Sequence, residues 1–184
     1  GRRLNFETSE QSEHFLEGTG SIIFDHQNRL AYACLSPRTD ASLLEELCQA
    51  IGYQKVVFHA VDGNGQDIYH TNVMMALGES FVVICMDSVR DVSERKLLEE
   101  KFRETGKEIV DISLAQMNSF AGNMLQVRNR EGQTILVMSS QAYRALLPAQ
   151  IEQLESHTQL LHAPIDTIET YGGGSARCMM AEGF

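Results

Sequence analysis

Ser21-Ile22-Ile23-Phe24, Asn72-Val73-Met74-Met75 and Asn123-Met124-Leu125-Gln126 decide the fold. Their starts at 21, 72 and 123 lie 51 residues apart. Each opens the same series: a short apolar strand, a turn, a second apolar strand, a helix and a third strand. In the first block, residues 21–24 and 30–35 read as strands split by the turn-forming Asp25-His26-Gln27-Asn28. A helix follows with Asp40 or Ser42 as N-cap and Ser42-x-x-Glu45 as a capping box. Leu43, Leu44, Leu47 and Ile51 form its apolar stripe, Gly52 stops it, and 55–61 alternates like a strand. The second block has strands at 73–77 and 81–86, a helix capped at Ser93 and a strand at 109–112. The third has strands at 124–127 and 135–138, Pro148 in the first turn of a second helix, and a strand at 158–162. A fourth start, at 174, falls in Gly172-Gly173-Gly174-Ser175.

The sequence thus predicts one α/β domain over 1–184: ββαβ modules near 21–62, 72–113 and 123–166, then a closing strand at 174–184. One such module cannot bury its apolar face alone, so the modules must pack side by side. Repeating small sheets about an axis makes a propeller whose equivalent strand ends converge. A three-layer α/β sandwich, with the period a coincidence, is the alternative.

Composition narrows the function. Of 184 residues, 43% are apolar and 22% charged, the balance of an ordinary globular domain. A net charge of −10 disfavours general affinity for nucleic acid or anionic lipid. No apolar run approaches the ~20 residues that span a bilayer. The start, Gly1-Arg2-Arg3-Leu4, shows no export signal, and a cytoplasmic location is expected for a chain that needs a reduced thiol. Four scattered cysteines make no disulfide framework or zinc spacing, and no cofactor loop appears, so neither metal nor cofactor is expected.

If strand starts converge, the chemically unusual residues beside them come first. Glu17 lies four residues before the first start, His70 two before the second, and Cys178 four after the fourth. A carboxylate, an imidazole and a thiol from separate modules fit nucleophilic catalysis. A thiol attacks as thiolate, which neighbouring positive charge such as Arg177 favours. A histidine passes protons to a leaving nitrogen and from water. The glycine run at 172–174 lets backbone approach a ligand closely. The ordinary alternatives are that Cys178 is an inert thiol, Glu17 a turn carboxylate and the glycines a plain turn. Cys34, Cys48 and Cys85 read as small buried hydrophobes. Met74, Met75, Met179 and Met180 read as core filler, His59 and His162 as structural, and His14, His26 and His157 as solvated.

Phe15-Leu16-Glu17-Gly18-Thr19-Gly20-Ser21, His70-Thr71-Asn72 and Gly172-Gly173-Gly174-Ser175-Ala176-Arg177-Cys178-Met179 resemble, in that order, the guanidino-group-modifying superfamily. It includes arginine deiminase, dimethylarginine dimethylaminohydrolase and glycine amidinotransferase. Leu35-Ser36-Pro37-Arg38-Thr39-Asp40 and the ending Cys178-Met179-Met180-Ala181-Glu182 are most similar to its arginine-deiminase-related citrulline hydrolase branch.

The resemblance implies a five-bladed α/β propeller, or pentein, with its active site on the axis. It implies Cys178 as nucleophile, His70 as general acid/base and Glu17 as the orienting carboxylate, with Asn72, Arg177 and Gly174 at the substrate. The implied partner is a small guanidino or ureido amino acid, opened through a covalent cysteine intermediate. The alternatives are amidino transfer by the same nucleophile, or an incomplete ring that only binds. Many relatives carry aspartate two residues after the histidine, where this chain has Asn72, and several carry another where it has Gly20. Fewer carboxylates favour a neutral ureido group such as citrulline's over a guanidinium. About two modules of such a ring are absent, so completion by a further N-terminal segment or by another copy is expected.

Overall fold

A computed structural model describes residues 5–180. It contains three small sheets, each built from three consecutive strands in sequence order. The first holds β1 (Ile23–Asp25), β2 (Leu30–Cys34) and β3 (Gln54–Phe58). The second holds β4 (Met75–Leu77), β5 (Phe81–Ile84) and β6 (Glu108–Asp111). The third holds β7 (Leu125–Arg128), β8 (Thr134–Ser139) and β9 (Gln159–Ala163). In every sheet the first two strands pair antiparallel as a hairpin and the last two pair parallel. The parallel pair needs a crossover, which the module's helix supplies. That crossover is α2 (Ala41–Ile51) in the first module and α4 (Val92–Glu104) in the second. In the third, α6 (Ser140–Ala145) and α7 (Pro148–Glu155) share it, with Pro148 at the start of α7. The repeat predicts these three ββαβ modules.

The strand starts differ from the expectation. Before β1 and β4 the chain first makes one helical turn, α1 (Gly18–Ser21) and α3 (Thr71–Met74). Ile22 N bonds back to Gly18 O, and Met75 N to Thr71 O, so Ser21 and Asn72 belong to turns rather than strands. Between α5 (Leu114–Asn118) and β7, Asn123 likewise precedes its strand. Thr71 locks two of these turns together. Its buried Oγ1 donates to Ser21 O at 2.5 Å and accepts from Cys34 N at 2.9 Å.

The expected closing strand is also corrected. After α8 (Asp166–Gly172), residues Ala176–Met179 form a 3-10 turn, and 181–184 lie outside the described residues. Met179 is 49% exposed there, so it is not core filler, whereas Met74 and Met75 are fully buried.

The first two sheets bury one face on their own helix and the other on the next module's helix. Ala31 and Ala33 pack on Leu44 and Cys48 of α2. On the opposite face Tyr32 meets Phe102 of α4, ring centroids 5.4 Å apart. His157, expected to be solvated, is wedged between the second and third modules. It packs on Phe81, and its nitrogens bond Ser80 Oγ at 2.8 Å and Glu108 Oε2 at 2.9 Å. In the third sheet Leu136 and Met138 face their own helices in the core, but among the described residues no further helix covers the opposite face. There Leu125, Val127, Ile135 and Val137 stay half-buried and Leu161 is 54% exposed.

Asp40 starts α2, its Oδ1 accepting from Ser42 N at 2.8 Å and Leu43 N at 3.0 Å, and its Oδ2 pairs with His14 at 2.8 Å. Partial burial opposes ionisation, but the bonds from Ser42, Leu43 and His14 outweigh it and hold the carboxyl at about 2. The folded value lies below the ~3.9 of an unfolded aspartate, so the cap stabilises above that value and loses its effect as pH falls. Asp40→Ala is therefore expected to cost about 1 kcal/mol at neutral pH. In urea unfolding, its deficit against the parent should shrink as pH falls from about 4 toward 2.

Candidate active site

The two helical turns deliver the first site residues. Glu17 immediately precedes α1 and His70 immediately precedes α3, and β1 and β4 lie side by side. Their side chains meet: His70 Nε2 lies 2.7 Å from Glu17 Oε2. The same carboxylate oxygen lies 3.6 Å from Arg38 Nη1. Arg38 belongs to the loop of residues 35–40, which builds this wall of the site. Its carbonyl accepts from Glu17 N at 3.3 Å and from Ser21 Oγ at 2.9 Å, and its guanidinium sits 5.2 Å over the Tyr69 ring. Glu17 is thus held by backbone and charge, and the imidazole, with 17% of its side chain exposed, is oriented by it.

Gly20 explains why the imidazole fits. A Cβ at this position would lie 2.7 Å from His70 Nδ1 and 2.9 Å from Cε1. The room that a second carboxylate would need is therefore filled by the histidine ring. The absent aspartate is part of how His70 is seated, and not only a lost anchor for positive charge.

Cys178 arrives on the 3-10 turn after α8 and is exposed, whereas Cys34, Cys48 and Cys85 are buried. Burial pushes the Cys34 thiol up to about 11 and also raises Cys85. Of the four thiols, Cys178 is the accessible one. Its Sγ lies 3.7 Å from Nδ2 of Asn72, two residues beyond His70, and 3.3 Å from Nδ2 of Asn123. Gly174 backs onto the thiol, with the place of its absent Cβ 3.3 Å from Sγ. Arg177 N donates to Asn123 Oδ1 at 3.0 Å. Arg177 lines a cavity of about 630 Å³ that runs along β1, β4 and β7, with Thr19, Lys107 and Met124 among its walls.

Glu17 and His70 thus form one pair, while Asn72, Asn123 and Gly174 stand against Cys178, and the step of two residues from His70 to Asn72 links the two groups; Arg177 joins the second through its backbone. Asn123 and Arg38 were missed as site residues. The signal for Asn123 was the repeat itself, since it stands 51 residues after Asn72. Arg38 lay within the stretch that carried the citrulline-hydrolase resemblance. Asn72 Oδ1 is buried without a hydrogen-bond partner among the described residues. Among the described residues no cluster of three or more His, Cys, Asp or Glu is placed to hold a metal ion.

A family model described as N,N dimethylarginine dimethylhydrolase, eukaryotic, matches residues 3–184. The chain belongs to this family. It thus stands within the guanidino-group-modifying superfamily that its motifs resemble, and solved structures agree on the fold. The product-bound N-terminal domain of ArgZ, an arginine dihydrolase from the ornithine–ammonia cycle in cyanobacteria, is 19% identical with a TM-score of 0.68. Unliganded AgrE is 20% identical with a TM-score of 0.70. SxtG, an amidinotransferase of the saxitoxin biosynthetic pathway from Microseira wollei, is 10% identical with a TM-score of 0.59. The matches cover 89% of this chain for ArgZ and AgrE and 86% for SxtG, but 54% of the ArgZ domain, 22% of AgrE and 42% of SxtG. The chain thus spans about a quarter of full-length ArgZ and about half of its N-terminal domain. No curated protein matches the chain.

Proposed function

We propose that this family member is a cysteine-dependent hydrolase of a guanidino or ureido C–N bond in an arginine-like amino acid. The reading is supported by two neighbours in the chain: His70 pairs with Glu17 at 2.7 Å, and Asn72, two residues on, lies 3.7 Å from Cys178 Sγ. In the first step the Cys178 thiolate adds to the guanidino or ureido carbon and forms a C–S bond. The C–N bond then breaks, and His70 gives the departing amine its proton. In the second step His70 takes a proton from water, the hydroxide adds to the same carbon, and the C–S bond breaks to return the thiolate. Glu17 holds the imidazole in place for both proton transfers.

The head group we propose is neutral. Beside the sulfur stand the neutral carboxamides of Asn72 and Asn123, where a carboxylate would grip a guanidinium. The family's name points to N,N-dimethylarginine, so that compound belongs in the same assay. Citrulline is expected to turn over faster than arginine or N,N-dimethylarginine. Faster arginine turnover would refute the neutral head group, and ornithine release that needs an added amine acceptor and yields no ammonia would identify amidino transfer instead.

We further propose a cytoplasmic location and completion of the ring by additional modules, on the same polypeptide or on a second copy. The bare face of the third sheet supports completion, because the corresponding faces of the other two sheets are covered by the next helix. Among the described residues no helix is long and apolar enough to cross a membrane.

A further inference from the structure

Asn123 is 3% exposed and makes four polar contacts at the junction of the second module, the third module and the terminal turn. Its Nδ2 donates to Asn72 O at 3.0 Å and lies 3.3 Å from Cys178 Sγ. Its Oδ1 accepts from Arg177 N at 3.0 Å and lies 3.7 Å from the same sulfur. These partners leave the amide one orientation. A backbone N–H can only donate and a carbonyl can only accept, so Oδ1 must face Arg177 and Nδ2 must face the Asn72 carbonyl. That orientation turns an N–H of Asn123 toward the sulfur. Asn72, at the equivalent position one module earlier, adds a second N–H at 3.7 Å. The third equivalent, Ser21, does not reach the thiol, because its hydroxyl is spent on Arg38 O.

We propose that Asn123 is a catalytic residue whose carboxamide stabilises and aims the Cys178 thiolate, with Asn72 as a weaker second donor. A hydrogen bond strengthens when its acceptor carries charge, so an N–H fixed beside the sulfur favours the attacking form over the resting thiol. Because the amide is locked by backbone on both sides, it needs no reorganisation when the charge appears. This assignment rests on Cys178 being the nucleophile of the proposed reaction.

Asn123→Asp separates the two jobs of the side chain. It is isosteric and keeps the oxygen that anchors Arg177 N, but it replaces the donor facing sulfur with an anionic acceptor. Alkylation of Cys178 by iodoacetamide at pH 7.5, followed on its peptide by mass spectrometry, should slow by roughly 10- to 100-fold, a loss of the size expected for a charge-assisted hydrogen bond. In the same protein kcat should fall with little change in KM. An unchanged alkylation rate in a folded Asn123→Asp protein would overturn the proposal and leave Asn123 as a backbone clamp. If that variant does not fold, Asn123→Ala and Asn72→Ala are compared, the second removing a sulfur-facing donor while the Arg177 N anchor stays: slowing in both supports the proposal, and an unchanged rate in either overturns it. Turnover that survives Cys178→Ala would instead defeat the nucleophile reading, whatever the alkylation rates show.

Discussion

Cys178→Ala is expected to lower kcat by roughly 10,000-fold or more, the scale seen when a covalent nucleophile is removed. The loss should be one of chemistry and not of folding. Cys178 sits on an exposed turn after the last helix, so truncating it leaves no cavity in the core. Cys34→Ala makes the opposite case. That thiol is fully buried in β2 and donates to Ile68 O at 3.4 Å. Its removal should lower thermal stability while turnover per folded molecule stays close to the parent's. Ammonia release by both variants, normalised to folded protein, checks the contrast.

Gly20→Ala should have the next largest effect, a fall in kcat of about 100-fold, as expected when a catalytic group is displaced by about an ångström. Backbone strain is not the cause, because Gly20 is absent from the positive-φ residues and lies in a helical turn that alanine favours. The cause is contact. An added methyl would sit 2.7 Å from His70 Nδ1, while Glu17 holds the far side of the ring at Nε2. The imidazole must tilt away and loosen that 2.7 Å pair. Cys178 alkylation should stay at the parent rate, which would place the damage at the histidine. An unchanged kcat would mean that the observed seat of His70 is not the one used in turnover.

Much of the fold could be read because it is written three times. The 51-residue spacing marked the module, and short apolar runs bounded by turns placed most strands to within one or two residues. The starts of the first strands could not be read, because an apolar segment such as Ile22-Ile23 does not reveal the helical turn before it. That turn is set by tertiary bonds such as Thr71 Oγ1 to Ser21 O. The final strand failed for a related reason: Cys178 N bonds back to Ser175 O at 3.0 Å and curls the segment into a turn. At the site, Glu17, His70 and Cys178 stood out by chemistry. Asn123 did not; its only mark was its place 51 residues after Asn72, and its role depends on the fold setting its amide against the sulfur. Gly20 was legible only as a missing carboxylate, and its actual role depends on the ring that lies above it.

The most direct test of the central claim is to stop a turnover mixture of the protein and citrulline with acid and weigh the Cys178 peptide. A covalent adduct confined to that peptide, formed at a rate matching turnover and absent from Cys178→Ala, is the predicted result. Steady ammonia release with the Cys178 peptide unmodified at every time point would contradict it.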